Sequence, residues 1–210
     1  MKRFMAIIIG LCIILTWGCN DDYYSDGGIL DDQVAILNTS TMQYLENNPD
    51  KFDTLSTLIK MCGLVDEINK SGNTFFAPQD YSIHNYFRLV LPDGPWPALE
   101  ELPEELLEEI SGILKNYIIS GQQIVRSELS PAYSYATTLG GQKARFNLIR
   151  EDYLGNVNMG AAFIVFSLDV SGEQSPRELY QSVRVAISGL RSTNGIVHVL
   201  TPDAHIFGFN

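Results

Sequence analysis

The sequence predicts an α+β domain, and three observations carry that prediction. Apolar residues recur every three or four positions in the first half of the chain and alternate with polar ones in the second. The alternating runs are punctuated by Gly140-Gly141, Gly155-Asn156 and Asn194-Gly195. Helices first and strands later, with no internal repeat, describe one α+β unit. The chain has 210 residues, 45% hydrophobic and 10% aromatic, which lets a single domain bury roughly 70% of its unfolded surface. Disorder and a large multidomain enzyme are both excluded. With 14 Lys and Arg against 25 Asp and Glu, the formal charge of −11 repels phosphate backbones, so a nucleic-acid partner has no electrostatic basis.

The N-terminus reads as an address. Lys2 and Arg3 precede an apolar run over residues 4–17, shorter than the roughly 20 residues a membrane-spanning helix needs. The run ends Leu15-Thr16-Trp17-Gly18-Cys19-Asn20-Asp21-Asp22, which resembles a bacterial lipobox with Thr16 and Trp17 at its two variant positions. That resemblance implies a signal peptide over residues 1–18, a lipid on Cys19 and a membrane as partner, with ordinary secretion or an uncleaved anchor as the alternatives. Several acyl chains would hold a soluble head at a membrane surface. Residues 19–32 carry Asp21, Asp22, Asp26, Asp31, Asp32 and Gly27-Gly28, and read as an acidic flexible tether. Acids directly after the cysteine resemble the export signal of surface lipoproteins of the Bacteroidetes, which implies the outer face of the outer membrane; in other bacterial groups they imply inner-membrane retention instead. Of the 3 cysteines, Cys12 leaves with the leader, Cys19 is lipidated and Cys62 is buried filler, so no disulfide framework is expected.

The domain proper is expected over residues 33–210. Residues 42–46 form a short helix stopped at Asn47-Asn48-Pro49. A longer helix follows, capped by Asp53 or Thr54, with Leu55, Leu58, Ile59, Cys62 and Val65 on one face and Gly63 at its end. Thr74-Phe75-Phe76-Ala77 is a buried strand closed by Pro78, and Asp80 opens the next helix. Residues 92–97 hold three prolines and form a rigid loop. Residues 100–117 read as one helix, with Leu102, Leu106, Ile110, Ile113 and Tyr117 apolar and its glutamates forming a solvated face rather than a calcium site. Ala144, Phe146 and Leu148 alternate in one strand, and Val183, Val185 and Ile187 in another. Residues 161–170 are apolar throughout, as in a strand buried on both faces.

The order of motifs then resembles the fasciclin (FAS1) domain family. Phe52-Asp53-Thr54-Leu55, Gly63-Leu64-Val65-Asp66 and Thr74-Phe75-Phe76-Ala77-Pro78 are similar to its opening signature, Leu139-Gly140-Gly141 to its mid-domain turn, and Asn194-Gly195-Ile196-Val197-His198 to its second signature. The similarity covers about residues 41–207. It implies helices packed on a mostly antiparallel β-sandwich or wedge, and adhesion or extracellular binding without catalysis or cofactor. The motif residues Phe75, Phe76, Ala77, Pro78, Asp80, Asn194, Gly195 and His198 have structural roles in this reading. Asp80 caps the helix it opens, Asn194-Gly195 supplies positive φ to a tight turn, and His198 is a core histidine with one hydrogen bond. The family's adhesion-linked Tyr-His is Tyr117-Ile118 here, so that site does not carry over. The stretch 146–192 exceeds a minimal domain and implies extended strands or an inserted hairpin around residues 152–158, a place for specificity.

For chemistry, the histidines are His84, His198 and His205. Asp80 and His84 share a helix face four residues apart, but Ser82 points elsewhere, and no nucleophile elbow, zinc or phosphate-loop motif is present. Neither a catalytic nor a metal site is expected. Binding falls to the aromatics Trp96, Tyr133, Tyr135 and Tyr153, which can stack on sugars or anchor a protein, or else cover the core and strand edges. The expected function is a surface lipoprotein binding an extracellular glycan or protein. The alternative is an accessory subunit of a cell-envelope or polysaccharide-uptake assembly.

Overall fold

The structure is a computed structural model that describes residues 35–91, 96–172, 175–203 and 205–209. The expected signal peptide, lipidation site and tether lie outside the described residues, as does most of the proline loop over residues 92–97. Three helices come first: α1 (Thr41–Glu46), α2 (Pro49–Met61) and the single turn α3 (Val65–Ile68). Ser40 starts α1 with a reciprocal capping box to Gln43. Gly63, at φ +66, ends α2, where Leu64 N–H bonds the Ile59 carbonyl and Gly63 N–H that of Lys60. Strand β1 (Asn73–Ala77) follows, then α4 (Asp80–Val90), α5 (Glu104–Lys115) and the short β2 (Ile118–Ile119). The rest is strand: β3 (Ser134–Thr137), β4 (Lys143–Arg150), β5 (Ala162–Asp169), β6 (Tyr180–Arg191) and β7 (Gly195–Leu200).

The strands form one seven-stranded sheet ordered β2-β1-β7-β6-β5-β4-β3. Only β1 and β7 are parallel, so the sheet is mostly antiparallel, as expected. The sheet is folded on β6. Residues 180–184 of β6 pair with β5, whereas Val185, Ile187, Leu190 and Arg191 pair with β7 across two register shifts. Such bulges bend a strand, and Gly189 at φ +73 sits within this stretch. The bend brings the two halves together as a wedge. Phe76 of β1 stacks on Phe166 of β5 with ring centroids 4.0 Å apart, and also meets His198 and Phe146. The tail closes the wedge, Phe207 and Phe209 stacking on Tyr117 at 5.6 and 5.8 Å.

Four expectations about elements are corrected. The helix read over residues 100–117 is two pieces, a 3₁₀ turn at Leu99–Glu101 and α5 from Glu104. Pro103 disfavours helical geometry at Leu102, which is extended at ψ 138. Neither Asp53 nor Thr54 caps α2 with its side chain, because Phe52 interrupts the helix at φ −137 and the freed N–H groups find an acceptor elsewhere. Strand β5 buries Ile164, Phe166 and Leu168 but leaves Phe163 and Val165 half-buried, since only one of its faces meets the core. Ile187 is exposed rather than inward, because the bulge beside it shifts the alternation by one.

Candidate binding surfaces

The residues of the two signatures are spent on holding the fold. Asp80 occupies the first turn of α4 but does not cap it. Its carboxylate reaches across and accepts Thr54 N–H (3.0 Å) and Leu55 N–H (2.9 Å), the donors freed where α2 restarts after Phe52. Burial raises its pKa above the usual carboxylate range, against the opposing effect of those two bonds. Asn194 ties three elements: its side chain accepts Thr41 N–H at 2.9 Å and donates to the Ile68 carbonyl at 3.1 Å, and its own carbonyl accepts Gly72 N–H. Gly195 is not at positive φ, contrary to expectation. A Cβ there would collide with the Asn73 carbonyl oxygen, so glycine permits the close approach of β1 to β7.

His198 makes two hydrogen bonds rather than one. Gly189 N–H donates to Nδ1 at 3.1 Å, which fixes the proton on Nε2, and Nε2 donates to the Ile124 carbonyl at 2.9 Å. The ring therefore pins the bend of β6. Burial pushes the pKa of His198 down to about 4 and that of His205 likewise. The Tyr117 hydroxyl joins His205 at 2.8 Å and accepts Gly208 N–H, anchoring the tail over the wedge. Cys62 is half-buried rather than sealed, its thiol facing the Leu107 carbonyl, and burial raises its pKa.

One cavity of about 280 Å³ opens between helices, lined by Thr54, His84, Phe87, Leu91, Trp96, Pro97, Ala98, Leu99 and Leu102. His84 meets Thr54 Oγ1 through Nε2 at 3.1 Å, and its ring packs against Trp96 at 5.7 Å. Ser82 is fully buried and donates to the Gln79 carbonyl, so it joins neither His84 nor Asp80. Thr54 lies between Asp80 and His84, accepted by one through its backbone and bonded to the other through its hydroxyl. The threonine hydroxyl is half-buried beside an apolar wall. No group of three or more metal-ligating side chains occurs among the described residues.

The four aromatics singled out in the sequence do not converge. Trp96 is 38% exposed at the cavity mouth, beneath Arg88. Tyr153 lies in the loop between β4 and β5, which turns back on itself through a single antiparallel bridge. There Tyr153 pairs with Asn156, and Leu154, Val157 and Met159 stand exposed. Tyr133 and Tyr135 do come together, with centroids 6.4 Å apart, at the edge strand β3. They meet residues that sequence reasoning passed over. The Arg145 guanidinium sits 4.1 Å from the Tyr133 ring centre and 4.0 Å from that of Tyr180, a cation clamped between two rings. Arg184 covers Phe163 at 4.2 Å on the same face. The alternation of Lys143, Arg145 and Asn147 marks them as outward-facing; the clamp itself comes from strand register.

The chain belongs to the fasciclin family. The Fasciclin domain model matches residues 50–201, well over half of the chain. Domains of this family are generally non-catalytic, typically lie outside the cell or on its surface, and serve adhesion or binding. No match was found among curated proteins. Among the described residues no helix is long and apolar enough to cross a membrane.

Proposed function

We propose that this protein is a lipid-anchored lipoprotein of the outer membrane, displayed on the cell surface, whose fasciclin head binds an extracellular glycan or protein without catalysing a reaction. The observation that carries the binding part is the outer face of β3–β6, where Tyr133 and Tyr135 are 47% and 61% exposed beside a clamped arginine. Exposed, rigidly held tyrosines provide contact area at low entropy cost. The anchoring part rests on Cys19 and the acids that follow it. Residues 1–18 act as a signal peptide, residues 19–32 as the spacer and residues 33–210 as the head. Mass analysis of the mature N-terminus, with protease treatment of whole cells, tests it. An acylated Cys19 and cleavage on intact cells are expected; an unmodified residue 19, or protection until lysis, overturns it.

A second reading has its own support. The hairpin tip exposes Tyr153, Leu154, Val157 and Met159 by 59%, 83%, 72% and 63%, an apolar cluster suited to a protein partner. As an accessory subunit of an envelope or polysaccharide-uptake assembly, the protein is recovered from native membranes in fixed ratio with one envelope protein. Recovery alone rules this reading out.

A further inference from the structure

The outer face of β3–β6 carries three cations, and they are treated differently. Lys143 bonds Glu178 at 2.6 Å and Arg184 bonds Glu151 at 2.7 Å. Arg145, directly across from Tyr135 on β3 and Ser167 on β5, has aromatic rings where its neighbours have carboxylates. Its Nε is buried with no hydrogen-bond partner among the described residues. Two positions along the same strand face, Asn147 is 5% exposed and its Oδ1 also lacks a partner, while its Nδ2 holds the Pro131 carbonyl and so the approach to Tyr133. Held by two rings and with no acid partner among the described residues, Arg145 is a local site for one anionic group, in a chain whose net charge of −11 opposes a continuous polyanion.

We infer that the Arg145–Tyr135 part of this face is the ligand site of the proposed binding function and that its ligand is a glycan of low charge density, recognised through a single uronate unit. The inference rests on that function. The Arg145 fork takes the sugar carboxylate, and the ring of Tyr135, across the strand pair from Arg145, takes the apolar face of the pyranose. The rings of Tyr133 and Tyr180 hold the guanidinium in place before the ligand arrives, so less side-chain freedom is lost on binding. The exposed Ser182, its hydroxyl bonded at 2.8 Å to that of the buried Ser167 in the same cross-strand row, continues the site toward β6. A sugar ring suits the surface better than an acidic peptide, because one planar contact and one carboxylate lie a single strand spacing apart.

The test uses the full chain in detergent and titrates it with digalacturonate, with the methyl-esterified dimer as its neutral counterpart and diglutamate as the acidic peptide. Binding of the free acid at least tenfold tighter than of the ester or the peptide is expected. Arg145→Gln should remove that preference and Arg145→Lys should recover only part of it, since an ammonium lacks the planar fork. Tyr135→Ala should weaken acid and ester alike. Lys60→Gln, at an exposed ion pair with Glu46 on the helices, serves as the control and should leave binding unchanged. Circular dichroism and melting of each variant separate loss of binding from loss of fold. Equal binding of acid and ester, wild-type affinity in Arg145→Gln, or peptide binding as tight as sugar overturns the inference. No binding of digalacturonate also overturns it, and in that case retained binding of intact cells to a neutral glycan or matrix protein leaves the broader function standing.

Discussion

The parallel pair β1–β7 and the outer face of β3–β6 use polar residues in opposite ways. Around β1 and β7, Asn73 and His198 are buried, Asp80 and Asn194 half-buried, and each has backbone groups as partners. On the outer face the polar side chains pair with each other at the surface, or, as with Arg145 and Asn147, keep an atom unpaired. An enclosed polar group with every bond filled has no capacity left for a ligand. The contrast therefore separates the part of the molecule that specifies the fold from the part with recognition capacity.

Acidification should break the first region most. His198 and His205 have folded pKa values of about 4 against an ordinary 6.5, so protonation favours the unfolded chain. Their stabilisation is complete above pH 6.5 and is lost as the pH falls toward 4, by about 3 kcal/mol for each ring. The raised Asp80 works the other way at the acid end, since its protonation favours the folded state. Denaturant titrations at pH 7 and pH 4.5 measure this; a stability that does not fall would break the assignment of both rings as buried and neutral.

Next in size is Gly195→Ala, where the new Cβ must displace the Asn73 carbonyl and separate β1 from β7. A cost of about 3 kcal/mol is expected, read as a lower melting temperature. Asp80→Ala should cost about 2 kcal/mol, because it leaves Thr54 and Leu55 N–H without their acceptor. Asp80→Asn, which keeps one oxygen, should recover part of that in the same denaturation assay. Smallest is Tyr135→Ala on the outer face, expected within about 0.5 kcal/mol of the parent. If Tyr135→Ala melted as low as Gly195→Ala, the two regions would not differ in the way described.

The legible parts of the fold were those set by local chemistry. Thr74 to Ala77 read as a buried strand because four consecutive residues of that kind before Pro78 fit little else, and β1 is indeed buried throughout. The two misread glycine and aspartate roles share one cause: both depend on a neighbour distant in sequence. Asp80 serves α2 and not its own helix, and Gly195 is small for the sake of Asn73. The error over residues 100–117 was different in kind, since Pro103 was in view and its effect on Leu102 is local. Of the binding aromatics, Tyr133 and Tyr135 could be paired from their spacing, but Tyr180 lies far along the chain and reaches Arg145 only through the β4–β5–β6 register.

By itself the sequence determined the α+β class, the motif order of the family, the inward side of β4 and the uneven charge of the chain. These follow from periodicity, backbone chemistry and composition, which act over a few residues. Tertiary structure alone decided that β6 bends into a wedge, that His198 and Asn194 are fully bonded, and that Arg145 stands between two rings without an acid. Those outcomes require side chains from separate strands at fixed distances, and only the assembled sheet sets such distances.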